Sequence, residues 1–171
     1  MSNKNETPSS SSLKITIKTA DNEVFKIDKA IAMQFSNVKH LIDHDDEVMA
    51  SSSATTIIPL PNVKSDTLAN LIDYCNFYVE FNSQQKEMKA YGEELLNIMY
   101  PAQVFDIMLA AHNLGFKEAL DFFSDAVADH IENKSVNFVR RYFGIKNDFS
   151  PDQEEELRRK NDWAFEGIEE N

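Results

Sequence analysis

Apolar and polar residues alternate along "LKITIK", where Leu13, Ile15 and Ile17 are set against Lys14, Thr16 and Lys18, the period of a half-buried β-strand. "ADNE" then signals a turn and "VFKI" a second short strand, so a hairpin is expected. The stretch from Met1 to Ser12 is polar, Ser-rich and without apolar period, and reads as a tail. After the hairpin, Asp28 is placed to cap a brief helix through "KAIAMQ". Ser36 is placed to cap another, on which Val38, Leu41 and Ile42 share a face. That helix runs out in "DHDDE", and residues 47–56 read as a loop. "IIPLP" is a short apolar strand bounded by prolines, which confines it to a sheet edge or a strand end.

From Ser65 or Asp66 the period lengthens: Leu68, Leu71, Ile72 and Cys75 recur at helical spacing. The following "EFNSQQKEMKAYGEE" loses that period and reads mostly as a surface excursion with some helix. "PAQVFDIMLAAHNL" opens with Pro101 at a first helical position and is apolar nearly all round, the mark of a helix buried on most sides, and Gly115 closes it. In the next helix Phe116, Ala119, Leu120, Phe123, Val127 and Ile131 form the apolar face, with Asp121, Asp125 and Asp129 on the other side.

Beyond "ENKS" the pattern thins. Ser135 can cap a short helix bearing Val136, Val139 and Phe143, and "GIKNDF" links it to a last helix. There Ser150 stands at N-cap, Pro151 at N1 and Gln153 at the capping-box position, with Asp152 at the positive end of the dipole. Arg158, Arg159 and Lys160 stand at the other end. Every local signal favours a helix, yet Leu157 is its only large apolar residue before Trp163 and Phe165. A helix this short needs an apolar face docked on something, so either it is loosely attached or a partner completes it.

Composition narrows the function. A hydrophobic fraction of 42% with twelve phenylalanines supports a folded core, and 171 residues allow one domain with an appendage. A net charge of -12 opposes binding to nucleic acid and to anionic membranes. The single cysteine, Cys75, excludes an internal disulfide. With no secretory signal in the first residues and no run long enough to span a bilayer, a soluble cytoplasmic and nuclear protein is expected.

The candidate chemistry is sparse. His40, His44, Asp43, Asp45 and Asp46 include metal-ligand types, but a solvated acidic loop is the favoured reading, so no metal is expected. Cys75 continues an apolar stripe and reads as an inert buried thiol. No phosphate-cradling glycine loop, nucleophile elbow or HExxH motif is present, so neither an enzyme nor a cofactor is expected.

The stretches "LKITIKTADNEVFKID", "IAMQFSNVKHLI", "IPLPNVKSDTLANLIDYC", "FDIMLAAHNLGFKEALD" and "FGIKNDFSPDQEEELRRKNDW" together resemble the Skp family, the adaptor subunits of SCF ubiquitin ligases, from about Leu13 to Glu166. The resemblance implies an α/β BTB/POZ fold over 13–131, with a small sheet flanked by helices, and a helical F-box-binding extension over 132–171. It implies a non-enzymatic adaptor that bridges a cullin to F-box proteins. It also implies F-box contacts at Val139, Phe143, Ile145, Asn147, Phe149, Leu157, Trp163 and Phe165, and cullin contacts at Phe105, Met108, His112 and Asn113.

Three departures mark a divergent member. His112 and Asn113 stand where typical members have Asn-Tyr, Tyr91, Gly92 and Glu93 stand near the usual Trp-Asp pair, and Trp163-Ala164 replaces Trp-Cys. The first removes an amphipathic anchor and implies an altered cullin contact. Two alternatives stay open: a BTB-type protein that binds F-box partners without a cullin, and a homodimer formed when no F-box protein is bound.

Overall fold

A computed structural model of the chain describes residues 14–44 and 57–168. The expected tail, Leu13 of the first strand, the loop over 47–56, and Asp45 and Asp46 of the acidic cluster lie outside the described residues.

The hairpin forms as expected from β1 (Lys14–Thr19) and β2 (Val24–Asp28), antiparallel with Lys14 opposite Asp28 and Lys18 opposite Val24. β3 (Ile57–Leu60) lies parallel to β1 on its other side, giving the order β2-β1-β3. Pro59 thus sits on an edge strand, where its missing N–H breaks no ladder. β1 departs from simple alternation: Thr16, expected on the polar side, is only 4% exposed. β1 is the middle strand, paired along both edges, and of the polar side only Lys14 and Lys18 stay exposed.

The two caps expected after the hairpin do not form. In α1 (Lys29–Ala32) Asp28 occupies the N-cap position but makes no capping bond; its carboxylate pairs with Lys14 Nζ at 2.8 Å. In α2 (Ser36–His44) Ser36 is already helical, and its hydroxyl donates to the Gly115 carbonyl at 2.9 Å instead of capping its own helix. Val38 and Ile42 are buried beside Phe35, but Leu41, expected on their face, is 51% exposed.

The hairpin turn provides the cap of α3 (Ser65–Phe81). Asp21 accepts the Ser65 backbone N–H at 3.0 Å and the Ser65 and Thr19 hydroxyls. Those donors hold its carboxyl below the usual range, with Ser65 the largest influence.

The core is mostly helical. Leu68, Leu71 and Cys75 of α3 pack with Val104, Ile107, Ala110, Ala111 and Leu114 of α5 (Pro101–Leu114) and with Ala119, Phe123 and Val127 of α6 (Lys117–Ile131). Phe116, just before α6, is fully buried with them. Tyr74 is the aromatic hub, its ring within 4.9–5.7 Å of Tyr78, Phe116, Phe122 and Phe123. Its phenol donates to the Glu118 carbonyl at 3.2 Å, so a buried polar group is satisfied. Gly115 ends α5 in the left-handed region at φ 66°, as expected of a helix stop.

The largest correction concerns the stretch read as a surface excursion. Residues Gln85–Ile98 form α4, a regular 14-residue helix packed on α6. Its face is Met88, Tyr91, Gly92, Leu95 and Leu96, a helical period diluted by charged neighbours. Tyr91 stacks on Phe77 of α3 with ring centroids 3.9 Å apart, and Gly92 allows the backbone to approach α6. α5 also differs in detail: it is buried on most sides, but Leu109 is 58% exposed.

Candidate partner-binding surfaces

Beyond Ile131 the chain builds a thin extension on the body. The Ser135 hydroxyl accepts from Phe138 N at 3.2 Å and starts α7 (Val136–Tyr142), the expected cap. Gly144 stops it at φ 64°, and Ile145 N returns to the Arg140 carbonyl at 2.8 Å, a Schellman-type end. In the link that follows, Asn147 Oδ1 accepts from Phe149 N at 3.1 Å. The predicted capping box then opens α8 (Pro151–Lys160): Ser150 N donates to Gln153 Oε1 at 2.9 Å, and Gln153 N donates to Ser150 Oγ at 3.4 Å. A 3-10 turn over Asp162–Phe165 follows.

Two features attach this extension to the body. One is an aromatic joint, in which Phe105 of α5 stacks on Phe143 with centroids 5.5 Å apart and meets Tyr142 edge-on. His130 of α6 lies 5.3–5.6 Å from the rings of Tyr142 and Phe138, and its burial, with Lys134 nearby, lowers its pKa below the ordinary value. The other is an ion pair: Arg140 Nη1, in a side chain 18% exposed, reaches Glu154 Oε1 of α8 at 2.6 Å. Arg140, assisted by Asn147, holds the Glu154 carboxyl below the usual carboxylate range.

The residues assigned to an F-box partner fall into recognisable places. Phe149, Leu157 and Phe165 line one groove of about 580 Å³, together with Val136 and Ile168. Arg158 lies over the Phe165 ring, 4.9 Å from its centroid. Ile145 and Asn147 line a neighbouring hollow of about 500 Å³. Val139 is half-buried on α7, and Phe143 is engaged with Phe105. Trp163 is the most open of the set, 75% exposed at the end of the extension. No residue of α7 or α8 is fully buried, so the apolar side chains here have no core of their own.

The residues assigned to a cullin are divided. Phe105 and Met108 are half-buried, and Phe105 belongs to the aromatic joint with the extension. His112 and Asn113 lie two turns beyond Phe105, about 10 Å along the helix, but only one turn, about 6 Å, beyond Met108, and are exposed. There α2 caps the end of α5, with Asn37 Nδ2 donating to the Asn113 carbonyl at 2.6 Å. Leu109, one turn before His112, adds an exposed apolar residue that the all-round apolar pattern of the helix concealed. Arg140, Arg141 and Lys146 were also missed, although all four arginines of the chain fall between 140 and 159.

Cys75 is buried and its thiol is pushed up to about 12 by desolvation, the opposite of an activated nucleophile. Among the described residues no group of three or more His, Cys, Asp or Glu is arranged to hold a metal ion. The side chains of Asp43 and His44 lie outside the description.

Comparison with known proteins gives the same family over most of the chain. Residues 13–80 match the family model described as "Skp1 family, tetramerisation domain", and residues 117–164 match "Skp1 family, dimerisation domain". SKP1-like protein 1A of Arabidopsis thaliana is 36% identical over 167 residues, covering 91% of this chain and 99% of that protein. SKP1-like protein 1 of Oryza sativa subsp. japonica is 37% identical over 172 residues, covering 89% and 95%. SKP1-like protein 14 of Arabidopsis thaliana is 35% identical over 156 residues, covering 91% and 99%. The small sheet with its helices is therefore the α/β BTB/POZ fold, followed by C-terminal helices. With two family models matched in order and more than a third of residues shared with full-length relatives, the chain belongs to the Skp1 family.

Proposed function

We propose that this protein is a non-enzymatic adaptor subunit of an SCF E3 ubiquitin ligase, acting in the cytoplasm and nucleus. It holds an F-box substrate receptor on its C-terminal extension and a cullin scaffold on its BTB/POZ body. The observation that carries this reading is the open apolar strip of Ile145, Phe149, Leu157 and Trp163, all exposed on a segment with well-formed caps and no core. Large apolar side chains held in place by capped helices and left 41–75% exposed suit a surface completed by another chain. An F-box domain is the occupant that family membership favours.

The test is hydrogen exchange with and without a saturating F-box domain. Protection of residues 150–165 should rise, while α3 and α5 stay as they were. Unchanged protection of the extension would defeat the proposal.

A second reading, an F-box-binding protein without a cullin, draws on His112 and Asn113, which place no tyrosine at the exposed end of α5. Co-purification with a cullin separates the two readings. In the second case the His112→Asn/Asn113→Tyr double variant should gain the scaffold. The mass of the free protein in solution tests self-association.

A further inference from the structure

Arg140 stands between two recesses, lining both the groove of about 580 Å³, where apolar side chains alternate with Glu154, Glu155 and Arg158, and the neighbouring hollow of about 500 Å³. The second differs sharply in charge from the rest of the protein. Arg140, Arg141 and Lys146 line it with Asn137 and Asn147, and among the described residues no carboxylate lines it, although Glu154 behind it bonds to Arg140 and Asn147. In a chain of net charge -12, this is a local excess of positive charge. Arg140 is committed to Glu154, but among the described residues neither Arg141 nor Lys146 makes an ion pair. Ile145, 55% exposed, lies on the same wall, and Phe143 stands two residues before it.

This juxtaposition constrains whatever covers the apolar strip. A partner that buries Ile145 also draws Arg141 and Lys146 out of water, and a desolvated cation without a counter-charge is strongly unfavourable. Among the described residues Glu154 is already engaged with Arg140 and Asn147, and no carboxylate pairs with Arg141 or Lys146, so their counter-charge is left to the partner. Arg141 offers a planar fork suited to a carboxylate, and Lys146 adds a second donor from the opposite end of the turn at Gly144.

We propose that this hollow receives an acidic side chain of the F-box partner, one flanked by the apolar residues that cover Ile145 and the adjoining groove. The proposal rests on the adaptor reading and adds the charge of the partner to it. The apolar groove supplies adhesion, and the cationic hollow selects among partners and accelerates their approach.

The test uses the full-length chain and a purified F-box domain that binds it. The domain is prepared unchanged and in versions with each exposed Asp or Glu of its binding face converted to the amide. Rates and affinities are measured across about 50–500 mM salt, a range that spans strong to weak screening. Arg141→Glu/Lys146→Glu should lose about tenfold or more in affinity, mainly in association rate, and its binding should respond less to salt. One amide version should lose comparably against the parent chain and little against the double variant, the coupling expected of a direct pair. Both residues are exposed, so the far-ultraviolet circular dichroism of the variant should match the parent. Binding by the double variant with the affinity and salt response of the parent would overturn the proposal and leave the adaptor reading standing. Failure of the parent chain to bind any F-box domain would overturn both.

Discussion

Trp163 offers the sharpest separation of binding from folding. In the free protein it is 75% exposed on a 3-10 turn that follows α8. Replacing it with alanine should leave stability within about 0.5 kcal/mol, as for surface positions that support no core. A tryptophan carries on the order of 200 Å² of side-chain surface, and three quarters of it is open here. Covering that remainder at about 25 cal/mol per Å² is worth roughly 4 kcal/mol. Ordering one large side chain at an interface offsets about 1 kcal/mol. Trp163→Ala should therefore weaken binding of an F-box domain by between about 2 and 3 kcal/mol, on the order of a hundredfold in Kd. The assay pairs calorimetric or optical titration against an F-box domain with thermal unfolding of the free chain. A variant that binds like the parent would show that Trp163 is not an anchor. A variant whose Tm falls by many degrees would show that the residue supports the body instead.

Three further outcomes follow from the geometry. A Cβ at Gly92 would sit 3.2 Å from the Ala126 Cβ, so Gly92→Val should force α4 away from α6 and cost about 1–3 kcal/mol in chemical denaturation; a neutral result would mean that the two helices pack less closely than the structure indicates. His130 has a pKa below its ordinary 6.5 in the folded joint, so an opened joint takes up its proton first. Stability from this contact is complete above about pH 6.5 and is lost as the pH falls through the lowered value, so exchange of α7 amides should quicken more on acidification in the parent than in His130→Gln, after allowance for intrinsic rates. Equal pH responses would refute the assignment. Cys75, with its thiol pushed up to about 12, should react with iodoacetamide slowly in native protein at pH 8 and rapidly in denaturant, and fast native alkylation would contradict its burial.

Much of this molecule is determined by the sequence alone, wherever the deciding interactions are local or strongly periodic. The hairpin, the edge strand with Pro59, the apolar stripes of α3, α5 and α6, the stop at Gly115 and the caps at Ser135 and Ser150 are of that kind. The sparse apolar content after Pro151 was equally visible, and so was the conclusion that such a helix lacks a face of its own. Only the tertiary structure decided the contacts between residues distant in sequence. α4 shows a diluted period because its helix is completed by Phe77 of α3 and by α6, across contacts no local window contains. Asp21 caps a helix that begins 44 residues later, and Ser36 gives its hydroxyl to Gly115 because packing brings those backbones together. In the same way Phe105 joins the extension through Phe143, and Arg140, Arg141 and Lys146 become one surface only when the turn at Gly144 folds the link back beside α7. Periodicity reports which side of an element is apolar, whereas the neighbour that covers that side, or leaves it open to a partner, is set by chain topology.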